Sequence, residues 1–276
     1  MQPTSELGRP ELKAKTFRRM GTVVSLTVPV GPEPWTAAAE ATLADATGVV
    51  ERRFGELDAR FSLYRPESEA SRLARGELSL REASQEFRDC YADAAEWRLQ
   101  TEGAFTPERP DGVPDLSGLV KGFAIKEAGA LLQSRGLADW CLNAGGDVLV
   151  AGSPIVGSRA AWQAGVVDPQ DRTTLIAAYP LGGSTGGSTG GSTGPRALAT
   201  SGSAERGDHI WTRGAGVSEF RQVSVAAADI LTADVLATAI VAGGVRMLNR
   251  ATSGWDVEVL AIRNDGGILA TPGFRA

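Results

Sequence analysis

Gln222-Val-Ser-Val-Ala-Ala227 is followed by Thr232-Ala-Asp-Val-Leu-Ala-Thr238 and then by Val257-Glu-Val-Leu-Ala-Ile-Arg263. The first and last segments are short, β-branched and apolar, which is the pattern of strands. Between them the apolar residues recur at helical spacing, which predicts a helix over 233–249. Outward from this unit, Thr22–Val30 reads as a strand of β-branched residues. Pro34 opens a helix that carries Leu43, Val50, Phe54, Leu57 and Phe61 on one face. A second helix is expected over 84–101, with Phe87, Tyr91, Ala94 and Trp97 on one side. A third runs from Lys121 to Ser134 and stops at Gly136, a residue suited to the left-handed position after a helix. Strands are expected at Trp140–Val150, Trp162–Val167 and Leu175–Tyr179. Strands and helices are mixed without strict βαβ alternation, so the fold class is α+β, with mixed sheet flanked by helices, rather than a doubly wound sheet.

The chain has 276 residues, 42% of them apolar and 22% charged, an ordinary globular composition with enough length for a sizeable core. Residues 1–15 are polar and are expected to be a loose start to a single domain over 16–276. The net charge is −5, and the absence of a basic run argues against nucleic acid as a partner. An anionic substrate would need local cations, backbone amides or a bound metal. Two cysteines, Cys90 and Cys141, make no disulfide framework and read as small core residues. The first residues lack a basic and an apolar stretch of the kind a secretory leader has, and no lipid-attachment cysteine stands near them. No apolar run reads as long enough to span a bilayer. As written, the chain is expected in the cytoplasm, or outside it if a leader has been removed.

Gly182–Thr193 is three copies of Gly-Gly-Ser-Thr. With almost no apolar groups to offset its ordering, it reads as a surface loop, 182–194, between paired strands. Gly182-Gly-Ser-Thr-Gly186 also fits the Gly-x-Ser-x-Gly pattern of hydrolase nucleophiles. That pattern needs a strand before it and a helix after it, and the flanks here are more Gly, Ser and Thr.

Asp234 and Thr238 stand four apart on a helix and share a face, so two hard oxygen donors point one way. Such a sparse oxygen set suits Mg²⁺, which keeps waters and takes further ligands from substrate phosphates. The bland alternative is an acidic residue near a helix start and a threonine bonded back to its own helix. Asp115-Leu-Ser-Gly-Leu-Val-Lys-Gly122 puts a carboxylate and an ammonium on either side of a Ser-Gly turn. Asn143-Ala-Gly-Gly-Asp147 and Thr200-Ser-Gly202 read equally as tight turns or as loops that let a ligand approach the backbone. His209 is the only histidine, which excludes a histidine-rich metal site and any mechanism with two imidazoles.

The order of these segments carries more than any one of them. Met20-Gly-Thr22, Phe61–Glu69, Gly103-Ala-Phe105, Asp115–Gly122, Asn143–Asp147, Ala199–Gly202, His209-Ile210 and Ala233–Thr238 form a series that resembles the ApbE family, the FAD:protein FMN transferases. The resemblance spans residues 17–262. It implies an α+β fold and an enzyme that binds FAD and Mg²⁺. Such an enzyme moves FMN onto a Thr or Ser hydroxyl of a target protein through a phosphoester and releases AMP. By motif position it implies Mg²⁺ on Asp234, Thr238 and the Gly118 carbonyl. Met20 and Tyr64 would flank the flavin and adenine region, Ala104, Phe105 and Thr106 would line the FAD site, and Asp115 and Lys121 would stand at the nucleotide. The segment around Ile210 and Trp211 would close over it, and Asp234, Thr238 and His209 form the catalytic set. Thr106, Thr212-Arg213 and Ser203-Ala204 depart from residues common in the family. Two other readings stay open: hydrolysis of FAD to FMN and AMP, and FAD binding without catalysis.

Overall fold

A computed structural model describes residues 10–182, 194–202 and 218–275. The chain opens with β1 (Leu12–Arg19) and β2 (Thr22–Pro29), paired antiparallel along their whole length from Leu12↔Pro29 to Arg19↔Thr22. Leu12–Lys15 therefore belong to a strand, not to a loose start. Their alternation is hard to see because Lys13 and Lys15 stand at the less exposed positions. Lys15 reaches Glu40 at 2.6 Å and Arg19 reaches Glu51 at 2.7 Å, so the stems cover apolar surface while the charges pair with the next helix.

That helix, α1 (Ala37–Phe61), starts at Thr36, whose hydroxyl accepts the Ala39 N–H at 3.1 Å; Pro34 lies just outside it. All five of its expected apolar residues are buried. A short α2 (Glu69–Ala74) follows, then α3 (Gln85–Gln100). α4 (Ser117–Ser134) begins four residues before Lys121, so Ser117-Gly118 is a first helical turn rather than a loop. It ends as expected: Gly136 has φ +79°, with Gly136 N–H to Gln133 O at 2.9 Å and Leu137 N–H to Leu132 O at 3.2 Å.

The expected strand at 140–150 is a hairpin of β3 (Trp140–Ala144) and β4 (Asp147–Ala151). Gly145 and Gly146 both have positive φ, which a tight two-residue turn requires. β5 (Trp162–Val167) and β6 (Leu175–Leu181) pair only with each other. β7 (Ala197–Gly202), β8 (Phe220–Ala227), α5 (Ile230–Gly254), β9 (Val257–Arg263) and β10 (Ile268–Ala270) complete the order. The main sheet runs β1-β2-β3-β4-β7-β8-β9-β10, antiparallel at every junction. The Gly-Gly-Ser-Thr stretch thus joins strands of two different sheets rather than a paired couple. Gly182 N–H donates to Pro195 O at 2.8 Å across its ends.

Three layers follow from the burial pattern. One face of the main sheet packs the helices through residues such as Leu142, Leu149, Val223, Val225 and Val259. The other face packs β5–β6, with Val148, Val150, Leu198 and Ile262 against Trp162, Val166 and Leu181. Central strands covered on both faces lose the apolar-polar alternation, as β4 shows by being buried throughout. α5 crosses the helix face of the sheet against α4. It is 25 residues long and contains an 18-residue window of mean hydropathy 1.6, so this run does have the length and composition of a membrane span. Most of its apolar residues from Ile230 to Met247 are buried in the core instead. Asp229 caps it by accepting the N–H groups of Leu231 and Thr232, and Gly244 (φ +62°) interrupts it.

Candidate functional site

α4 and α5 meet at Gly122. A Cβ there would stand 3.1 Å from Asp234 Oδ2 and 3.4 Å from Leu231 Cα, so a side chain at 122 would push the helices or Asp234 apart by a few tenths of an ångström. The contact brings Lys121 on α4, Asp234 on α5 and Asp147 at the start of β4 into one buried cluster, 7%, 2% and 0% exposed. The Lys121 ammonium is paired with Asp147 Oδ2 and lies 3.8 Å from Asp234 Oδ1. Asp147 Oδ1 accepts the Thr200 N–H at 3.0 Å. Beside them, the hydroxyls of Ser201 and Thr238 share a hydrogen bond of 3.0 Å, and those of Thr200 and Ser224 one of 2.8 Å.

Lys121 also lies on the wall of a cavity of about 860 Å³, within the range of small-molecule and cofactor sites. The β1–β2 turn, the end of α1 with the loop after it, the start of α4 and the β3–β4 turn enclose the cavity. Arg172, from the β5–β6 turn, reaches it from the second sheet. Arg65, Arg109, Lys121 and Arg172 give it four cations against the carboxylates of Asp58 and Asp115. Arg65 is tied to Asp58 at 2.6 Å and Arg109 to Asp111 at 3.2 Å. A wall with more positive than negative groups favours a polyanion, even in a chain of net charge −5.

Four of the expected residues, Met20, Tyr64, Asp115 and Lys121, line this cavity. Met20 holds φ +51°, unusual for a residue with a side chain, at the apex of the β1–β2 turn. Tyr64 is 82% exposed at the mouth. Asp115 Oδ1 accepts the Ser117 N–H at 3.0 Å at the start of α4. Ala104, Phe105 and Thr106 stand behind the wall instead. Phe105 is a core residue whose ring lies 3.2 Å from where a Gly118 Cβ would be. The Thr106 hydroxyl bonds to the backbone of Glu108, and Ala104 packs beside Gly243 on α5. Asp234 belongs to the buried cluster with Lys121, and Thr238 stands half-buried beside it. His209 and Trp211 lie outside the described residues, as do Ser203-Ala204 and Thr212-Arg213.

Asp147, Ser201 and the three arginines were not among the expected site residues. Asp147 and Ser201 lay in turn motifs whose chemistry is visible only once the strands are aligned. The cysteines take no part. Burial pushes both thiols up to about 12, which leaves little thiolate near neutral pH.

The sequence profile of the ApbE family matches residues 20–111 and 108–260, which together contain every element named in the site. The chain belongs to the ApbE family. Solved structures of similar shape agree with that assignment at the level of fold. The flavin transferase ApbE from Vibrio cholerae superposes with a TM-score of 0.71 at 20% identity, over 97% of this chain and 99% of that one. The ApbE protein from Thermotoga maritima gives 0.70 at 18% identity, over 96% and 98%. The apo flavinyl transferase ApbE from Pseudomonas stutzeri gives 0.68 at 16% identity, over 98% of each. A search of curated protein sequences gives no match. The antiparallel main sheet, its helical layer and the β5–β6 layer are thus this chain's version of the ApbE architecture, and the α+β reading holds.

Proposed function

We propose that this protein transfers FMN from FAD to a Thr or Ser hydroxyl of a target protein, with Mg²⁺, and releases AMP. The observation that carries the reading, in a member of the ApbE family, is the polycation-lined cavity of about 860 Å³ with Lys121 at its buried end. In this reading the FAD pyrophosphate sits at Lys121, and Met20 and Tyr64 bound the region of the rings. The hydroxyl oxygen of the target bonds to the phosphorus on the riboflavin side. The bond from that phosphorus to the bridging oxygen breaks, AMP leaves with the bridging oxygen, and the hydroxyl proton passes to a base. Asp115, on the cavity wall, and His209 are the candidates for that base. Transfer of this kind depends mainly on positioning and charge neutralisation, which fits a site rich in cations.

The donor set also suits Mg²⁺. Among the described residues no three His, Cys, Asp or Glu side chains come together, so no all-protein cage is present there. Asp234, with the Thr238 and Ser201 hydroxyls beside it, offers hard oxygens in small number, and the Gly118 carbonyl is the remaining protein donor in this reading. When bound, Mg²⁺ would supply charge neutralisation at the pyrophosphate and at the departing AMP.

The test incubates the purified protein with FAD and Mg²⁺, with and without a Thr- or Ser-bearing acceptor peptide. AMP is followed together with the acceptor's mass. AMP with an FMN-sized gain on the acceptor is the expected result. AMP with free FMN would replace transfer by hydrolysis. Bound FAD without AMP would make the protein a flavin-nucleotide binder.

A further inference from the structure

We propose that Asp147 is a positioning residue that draws the Lys121 ammonium away from Asp234, so that Asp234 can take a divalent cation. The inference rests on the metal reading above and assigns a task to a residue that reading does not use.

Three facts carry it. Asp147 is wholly buried and anchored through Oδ1, which accepts the Thr200 N–H at 3.0 Å, while Oδ2 is ion-paired with Lys121. The backbone register between β4 and β7 runs through Leu149↔Ala197 and Val148↔Leu198. The Thr200 amide lies beyond that register and meets a carboxylate in place of a carbonyl. Asp147 is therefore anchored to a strand end and cannot follow the lysine, whereas the long lysine stem can follow a carboxylate. Finally, Lys121 is shared unequally. It is in direct contact with Asp147 but 3.8 Å from Asp234 Oδ1, near the outer limit of an ion pair.

Among the described residues, Asp147 and Asp234 are the two ion-pair partners of Lys121. Removing the charge of Asp147 leaves Asp234 as the carboxylate that this ammonium can satisfy. An ammonium seated on Asp234 competes with a cation for the same oxygens. A buried ion pair is in itself weak evidence for a stabilising role, so the pair is better explained by where it puts the ammonium.

The test is a double-mutant cycle on the full chain with Mn²⁺ alone, read from the free-ion EPR signal and so independent of turnover. Asp147→Asn keeps an oxygen for the Thr200 amide and removes the charge. Acting through Lys121, it should weaken Mn²⁺ binding by about tenfold, but by less than about threefold when Lys121→Met is already present. Equal weakening in both backgrounds would mean that the Asp147 charge acts on the cation directly, and would overturn the positioning role. A wild-type protein that binds no Mn²⁺, either alone or with FAD present, would remove the metal reading and this inference with it. Unchanged binding in Asp147→Asn would remove the inference alone. Should Asp147→Asn fail to fold, the ¹⁵N signal of the Lys121 ammonium in the wild type decides. Saturating Mg²⁺ should leave it on Asp147, and a marked shift would overturn the proposal.

Discussion

The cluster behind Lys121, on the cavity's inner wall, and the cavity's mouth are built in opposite ways. Lys121, Asp147, Asp234, Ser201 and Thr238 stand on helices and strands, and the three charged groups among them are nearly inaccessible. Their positions follow from a helix crossing at Gly122 and from the alignment of β4 with β7. Met20, Tyr64 and Arg172 stand in turns and loops at the rim, and Tyr64 is 82% exposed. The difference separates two demands. Phosphate chemistry needs charges held in place before the substrate arrives. Admission of a large flavin nucleotide, and then of a protein side chain, needs a rim whose groups can adjust.

Substitutions at the two ends should therefore fail differently. The largest effect is expected from Asp234→Ala, which should lower the rate of transfer by about 10²–10³-fold, with a native circular-dichroism spectrum. Retained full activity would move the metal site elsewhere. Gly122→Val strikes the same end through packing. Its new carbons meet Asp234 and Leu231, and denaturant titration should show a loss of about 1–3 kcal/mol. At the mouth, Tyr64→Ala should leave stability within about 0.5 kcal/mol. Steady-state kinetics should show KM for FAD raised by up to about tenfold with kcat little changed, the mark of lost ground-state contact. An equal fall in kcat would mean that the rim takes part in the transition state and would blur the division. Arg172→Ala should have the smallest effect, a rise in KM of about threefold or less that shrinks further in added salt, because an exposed cation is screened.

The same contrast decides how much the sequence revealed. α5 and its neighbours β8 and β9 were legible because burial imposes periodicity, and the end of α4 because Gly136 marks a left-handed cap. Asp234 and Thr238 were legible as a pair because four residues on a helix are one face. Asp147 reads in the sequence as the end of a Gly-Gly turn or ligand-approach loop, since its meeting with Lys121 and Thr200 depends on contacts across 26 and 53 positions of chain. β1 gives no strand signal because lysines occupy its less exposed positions, Lys13 paired with Glu11 and Lys15 with Glu40 on α1. The rim arginines gave no signal, because turns impose no period. Phe105 shows the converse. The resemblance, through the Gly-Ala-Phe motif, assigns it to the FAD site, and its ring packs against the first turn of α4.

The most direct test of the two-ended account is a crystal structure with FAD and Mn²⁺ bound. The pyrophosphate is expected at Lys121, an anomalous Mn²⁺ peak at Asp234 and Thr238, and a ring of the nucleotide against Met20 and Tyr64. FAD bound outside this cavity, or a metal peak away from Asp234, would contradict it.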